Sequence, residues 1–207
     1  LSPRPQIDHI RRPQILAAAS EVIAERGVAA TRIADVAERC GVSPPAVLYW
    51  FDSKEQLLAE ALIADDERFY EGLSDRLGHA TCARERLIVL IEAATEGSAE
   101  FALWMELWTW ALRDAELRRA RERFDSRWRG EIEAIVREGR EAGEFGAVDP
   151  ALAALAIGAL IDGLTVQVAL GDPEISERRL RETAIAGAER MLECRLNGGK
   201  VGDRASP

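Results

Sequence analysis

An all-α fold of about nine helices is expected, on three observations. The chain of 207 residues is 47% hydrophobic and 30% charged, rich in Ala, Leu, Glu and Arg and poor in β-branched runs, a composition that favours helix. Cap residues, prolines and glycines mark helix starts and stops along the whole length. No alternating apolar–polar stretch beyond about four residues suggests a strand, and no internal repeat is visible.

Helix 1 is expected over 8–26, stopped by Gly27, with helix 2 over 32–40 and helix 3 over 44–51 after a break at Gly41. Helix 4, over 54–77, opens on a capping box, Ser53-Lys-Glu-Gln56, in which Ser53 accepts a first-turn amide and Gln56 reaches back. Helices 5, 6 and 7 are placed at 83–96, 99–112 and 115–142, the last ended by Gly143. Asp149-Pro150 and Asp172-Pro173 each set a cap before a proline whose missing N–H does no harm, giving helix 8 over 150–170 and helix 9 over 173–195. The Gly-, Lys- and Ser-bearing residues 197–207 are expected as a loose tail. A composition shift near residue 60 separates a three-helix head, 1–60, from a helical body, 61–196.

Thirty-six acidic against 27 basic side chains leave a net charge of −9, which excludes a protein that coats nucleic acid or anionic membrane through its overall field. The acidity is unevenly placed. Residues 1–60 hold 7 basic and 8 acidic groups, net −1, so the body carries −8. Cys40, Cys82 and Cys194 are far apart, with no CxxC pair and, beyond the lone His79 three residues before Cys82, no cluster of further ligands, so three free thiols are expected and neither a metal site nor a cofactor. The chain opens at Leu1 without an initiator Met, which suggests numbering from inside a longer gene product. No apolar leader follows it, which points to a cytoplasmic protein. Residues 151–170 are apolar enough to raise the question of a membrane span. Asp162 near the centre and the Ala/Gly character of the stretch favour a buried helix of a soluble protein instead.

The sharpest pattern lies at 31–51. Helix 2 puts Ile33, Val36, Ala37 and Cys40 on one face, Gly41 turns the chain, and Val47, Leu48 and Phe51 follow at helical spacing. Ala37 is small where a second helix crosses closely, and Gly41 can take positive φ. Such a helix-turn-helix offers its second helix to the major groove of DNA.

The run Arg12-Pro-Gln-Ile-Leu-Ala-Ala-Ala19, Gly27, Thr31, Ile33, Asp35-Val-Ala37, Cys40-Gly-Val-Ser43 and Tyr49-Trp-Phe51-Asp-Ser-Lys-Glu-Gln-Leu57 resembles the DNA-binding domain of TetR-family transcriptional regulators. The resemblance covers roughly residues 11–60 and implies an all-α homodimer that binds a double-stranded DNA operator and a small-molecule effector, usually as a repressor. It also implies phosphate or backbone contacts at Thr31, Ser43, Tyr49 and Lys54. A Lys in a first helical turn opposes the helix dipole, which a phosphate partner would explain. The chain departs from the family where Leu48-Tyr49-Trp50 precede Phe51, so the aromatic contact shifts to Tyr49 or Trp50. Ser43 to Phe51 also lacks Arg, Lys, Asn and Gln, the bidentate readers of purines. Pro44, Pro45 and Ala46 supply only apolar surface there, suited to a thymine methyl. Specificity is therefore expected from Tyr49, Ser43, Arg32 and an arm carrying Arg4, Arg11 and Arg12, which could enter a minor groove.

In the body, Phe101, Trp104 and Trp108 share one helix face with Met105 beside them, and Leu103, Leu107 and Trp110 form a second. Phe124 and Trp128 make an i, i+4 pair on helix 7. Aromatic faces with Glu106 among them suit an organic cation. The segment from Trp104 to Trp110, with Asp114-Ala-Glu-Leu-Arg118, Arg127-Trp128-Arg129, Gly143-Glu-Phe145, Asp149-Pro150 and Ile161-Asp-Gly-Leu164, resembles the C-terminal domain of the TetR subgroup that includes choline-responsive repressors. Helix 8 is apolar nearly all round, so a homodimer interface is expected through Leu152, Ala156, Ala159 and Gly163, completed on helix 9 by Ile185, Ala188, Met191 and Leu192. Two other classes find less support in the sequence. An all-α enzyme finds only Asp65-Asp66, half of a carboxylate metal motif, and no nucleophile–base set. A helical protein-binding adaptor lacks a sequence signature of its own.

Overall fold

The computed structural model describes residues 5–96 and 98–196, with side chains described outside 5–10, 98–100, 102, 103, 106 and 116. Among the described residues there are nine helices and no strand: α1 Pro5–Ala30, α2 Ile33–Cys40, α3 Pro44–Leu48, α4 Lys54–Gly78, α5 Ala83–Thr95, α6 Ser98–Ala111, α7 Ala115–Glu141, α8 Pro150–Ala169 and α9 Glu177–Met191. The expected tail, 197–207, lies outside the described residues. The chain forms two compact units, one within Leu1–Gly72 and Gly97–Asp125, the other within Leu73–Glu96 and Ser126–Pro207.

The first unit is built on α1–α3, most of α4, α6 and the start of α7. Its core joins Ile15, Ala19, Val22 and Ile23 of α1 to Val36 and Ala37 of α2, Val47 and Phe51 around α3, and Leu57, Leu58 and Leu62 of α4. Leu107, Leu117, Ala120 and Phe124 belong to the same core, and α6 packs on α1. The helix-turn-helix is closed by Gly41, whose φ of 66° forms the left-handed cap of α2, and Val42 N–H bonds back to the Ala37 carbonyl at 2.9 Å. A side chain at such a φ is strained, so the glycine here is a backbone requirement. Gly27, at φ 75° and ψ 159°, is non-helical and interrupts α1 with a kink, where the sequence places the stop of helix 1.

The second unit packs α5, α8 and α9 with the end of α4 and most of α7 around Leu87, Leu90, Ile91, Ile132, Ile135, Ile157 and Ile161. The N-terminus of α5 has no side-chain cap from Cys82. Glu144 supplies one from a distance, its carboxylate accepting from Ala83 N–H at 3.3 Å and Arg84 N–H at 3.1 Å, so two orphan donors and the positive helix end meet an anion.

Most expected boundaries hold within a few residues, with three corrections. Asp149 does cap α8, accepting from Leu152 N–H at 3.0 Å. Asp172 instead folds a local turn, accepting from Glu174 N–H at 2.8 Å, and α9 begins at Glu177 under a Ser176 cap that accepts from Arg179 N–H at 3.2 Å. The short-range turn satisfies Asp172 before a helix can start. Gln56 reaches back one residue further than a capping box requires, accepting from Asp52 N–H at 2.7 Å, while Ser53 Oγ accepts from Gln56 N–H at 3.1 Å. Helix 3 ends at Leu48, and Tyr49 and Trp50 form a turn.

One described helix, Pro150–Ala169, is long and apolar enough to cross a membrane, and 33% of its most apolar window is buried inside the protein. Ala153, Ala154, Ile157, Gly158, Ile161 and Thr165 face the core of the second unit. Leu152, Leu155, Ala159 and Gly163 stand on the opposite, exposed face.

Candidate functional site

The helix-turn-helix is held by ion pairs, one local at the start of α2 and others that join α2 to α1. Asp35, at the third position of α2, reaches back to the Arg32 backbone N–H at 3.0 Å and receives the Arg32 guanidinium twice, at 3.0 and 2.8 Å. Arg26 of α1 adds a third charge at 3.0 Å. The Arg32 hydrogen bonds, reinforced by its charge and that of Arg26, hold the Asp35 carboxyl down at about 2 from an ordinary 3.8, although burial pulls the other way. A lowered folded value means that stability is fully present above the unfolded pKa and disappears as pH falls through the folded one. Melting temperature is therefore expected to fall between about pH 4 and 2. Asp35→Asn should melt lower at neutral pH and lose much of that acid dependence, which circular dichroism at a series of pH values would read.

Other arginines of the head are likewise engaged. Arg39 bridges α2 to α1 through Glu21 at 2.9 Å and Glu25 at 2.6 Å. Arg12 pairs with Glu60, which also accepts from Gln56 Nε2 at 3.0 Å, and its guanidinium lies 5.4 Å from the Phe51 ring centroid. Arg12 and Arg32, both expected to face DNA, thus have protein partners that clamp α1 to α4 and the start of α2 to α1.

The remaining DNA-facing expectations divide. Arg4 lies outside the described residues, and Arg11 is exposed. Thr31 is a correction. It is 1% exposed, and its hydroxyl donates to the Gly27 carbonyl at 2.8 Å, so it closes the end of α1 instead of meeting phosphate. Ser43 occupies the cap position of α3 but makes no side-chain cap bond. It is exposed together with Pro44 and Pro45, and Ala46 is partly so. Of the two candidate aromatics, Trp50 packs against the head core, edge-on to Tyr49 at 5.2 Å, whereas Tyr49 is 78% exposed. Leu48, expected inward, is 49% exposed while Val47 and Phe51 are fully buried. A helix of five residues has too few turns for spacing alone to fix which side faces in. Lys54 donates to the Ala29 carbonyl at 3.4 Å and lies 5.9 Å from the Trp110 centroid. The carbonyl end of α1 thereby offsets the mismatch between a Lys and a helix N-terminus.

On α6, Trp104 meets Phe124 edge to face at 5.1 Å, and Phe101 meets Trp108 in the same way at 5.6 Å. Both geometries suit the aromatic quadrupole. Arg121 stands 6.0 Å from the Trp108 centroid and is tethered to Asp125 at 2.9 Å. Met105 is half-buried, and the Glu106 side chain falls outside the described ones. Phe124 belongs to the core of the first unit and Trp128 packs in the second, beside Gly158 and Ile132.

On the expected dimer face, Leu152, Ala159 and Gly163 are exposed and Ala156, Ile185 and Met191 half-buried. Ala188 and Leu192 are a correction. Both are fully buried in the core of the second unit, because their side of α9 packs on α5 and α8.

These two parts, a helix-turn-helix head and a helical domain of the effector-binding type, define a DNA-binding transcriptional regulator. Residues 80–193 match the family described as BetI-type transcriptional repressor, C-terminal, and residues 15–61 match the bacterial regulatory proteins of the tetR family. The chain belongs to the TetR family of transcriptional regulators and carries a BetI-type C-terminal domain. It is similar to the HTH-type transcriptional regulator BetI of Rhizobium meliloti, 26% identical over 209 residues that cover 99% of this chain and 98% of that protein. A transcriptional regulator from Saccharomonospora viridis, solved in complex with choline, is 32% identical with a TM-score of 0.79, over 84% of this chain and 92% of that one. A TetR regulator from Haloarcula marismortui is 26% identical with a TM-score of 0.81, over 89% and 99%. The protein is thus a ligand-responsive regulator of repressor type and not an enzyme. Regulators of this family bind DNA operators and small-molecule effectors as dimers, and are in general soluble and cytoplasmic.

Proposed function

We propose that the chain is a homodimeric repressor that grips a palindromic operator through α2 and α3 of each protomer and releases it when an organic cation binds among the aromatic side chains of α6 and α7. Arg121 carries the choice of a cation. A guanidinium already stands over the Trp108 ring, at the ~6 Å limit within which a ring face attracts positive charge. The choline held by the Saccharomonospora regulator supports the same chemical class. Phe101, Trp104, Met105, Trp108 and Phe124 would supply the apolar faces.

In this reading residues 1–60 act as the DNA-binding head and 61–196 as the effector and dimer domain. Ser43, Pro44, Pro45, Ala46 and Tyr49 approach the major groove, Arg11 the minor groove, and Lys54 the backbone. Two-fold pairing would run through Leu152, Leu155, Ala156, Ala159 and Gly163, with Ile185 and Met191 at its border. Coupling follows from shared packing. Trp110, two residues from Trp108, touches Lys54 at the start of α4, and α6 packs on α1. A ligand that shifts α6 therefore pushes on the head, and ~1–3 kcal/mol of differential affinity suffices for induction.

Thermal-shift measurements test the cation. Choline and tetramethylammonium are expected to raise the melting temperature. Trp108→Leu keeps apolar bulk but removes the ring face, and should weaken choline binding by about three- to thirtyfold. Stabilisation by flat apolar acids with no response to any amine would remove the proposal.

A further inference from the structure

We propose, resting on the DNA-binding reading above, that the protein selects its operator chiefly through thymine methyl groups, read by Pro45, Leu48 and Tyr49. Leu48 is half exposed and Tyr49 mostly so, while Val47 before them and Phe51 after them are fully buried. The helix-turn-helix thus turns a Leu and a ring outward although its core had inward positions for both types. Folding alone gives no reason for an outward Leu at the centre of this motif, whereas an apolar partner does.

The polar alternatives are missing or engaged. Reading guanine or adenine in the major groove takes Arg, Lys, Asn or Gln, and residues 43–51 contain none of them. Arg32 could swing in from the start of α2, yet Asp35 holds its guanidinium with two hydrogen bonds. Arg39 at the end of α2 is held by Glu21 and Glu25. Apart from the single hydroxyl of Ser43, what reaches the groove is apolar surface of prolines and Leu48 together with the phenol of Tyr49. Thymine is the only base that presents an apolar group there, its C5-methyl. The code available to this surface therefore distinguishes thymine from cytosine by the methyl, and leaves the N7 and O6 acceptors of guanine unread. The Tyr49 hydroxyl adds one hydrogen bond, to phosphate or a base edge, without restoring a bidentate reader.

The experiment starts from the full chain and a pool of random-sequence duplexes, from which bound DNA is recovered and sequenced. The best duplex is then remade with each dT of a half-site replaced singly by deoxyuridine, and in parallel with each dG replaced by its 7-deaza analogue. Affinities are read by fluorescence anisotropy. At least one dT→dU change in each half-site is expected to weaken binding by about fourfold, the worth of one buried methyl, and every 7-deaza change to leave it unaltered. Leu48→Ala, on an exposed side chain, should keep the melting temperature and abolish the response to deoxyuridine at the position that Leu48 touches. A selected duplex indifferent to every dT→dU change but weakened by 7-deazaguanine overturns methyl readout and leaves DNA binding standing. Recovery of no preferred sequence at all overturns both.

Discussion

Leu155→Glu is expected to turn the dimer into a monomer and to weaken operator binding by roughly 10²–10⁴-fold, the gain that tethering two binding modules provides. Leu155 is 54% exposed on α8 and Leu152 is 66% exposed beside it, on a helix apolar enough to be read as a candidate span. An apolar face of that kind, on a regulator whose family acts as dimers, is best covered by its own two-fold copy. A carboxylate at its centre would lose water without gaining a partner. The protomer itself should fold normally, since the position faces outward. Gly163 supplies the sharper control. A Cβ added there meets nothing within 4 Å in the protomer, so any weakening of the dimer by Gly163→Leu comes from the partner. Sedimentation velocity reads both variants. Two dimeric variants with unchanged DNA affinity would move the interface elsewhere.

Phe51→Ala is expected to cost about 3–5 kcal/mol, the usual penalty for removing a fully buried Phe. For a chain of this size that lowers the melting temperature by about 10 °C. The ring is 0% exposed, sits in one core with α1, α2, α4 and α6, and lies beneath the Arg12 guanidinium. Because Trp104 and Trp110 pack against that same core, the loss should reach the tryptophan fluorescence of α6 as well as DNA binding. A drop confined to DNA binding, with melting and fluorescence unchanged, would mean that head and α6 do not share a cooperative core.

Several of these features could be read from the sequence, and the failures have definite causes. Gly41, the Asp149 cap and the long helices were legible because each rests on local chemistry: a positive φ, a cap hydroxyl or carboxylate, a periodic face over several turns. Leu48 and Tyr49 were harder, since a five-residue helix gives spacing too little length to choose a side. Arg12, Arg32 and Arg39 carried basic charge suited to phosphate, but their partners Glu60, Asp35, Glu21 and Glu25 are fixed by how α1, α2 and α4 cross. Thr31 resembled a phosphate ligand, and its burial follows from the bend at Gly27. Amphipathicity of α9 alone points Ala188 and Leu192 to a dimer face, and only its packing on α5 and α8 shows that this apolar side is consumed within the protomer. The Phe101–Trp108 contact follows from i, i+7 spacing on α6, whereas Trp104 against Phe124 and Arg121 over Trp108 need the fold.

The most direct test of the account is a fluorescence-anisotropy titration of a labelled, pool-selected duplex with the full chain, with and without saturating choline. Two protomers bound per duplex, and an affinity lowered roughly 5–150-fold by choline, are the predicted result. An isotherm unmoved by choline and other quaternary amines, on a duplex the protein binds specifically, would contradict the cation-released repressor.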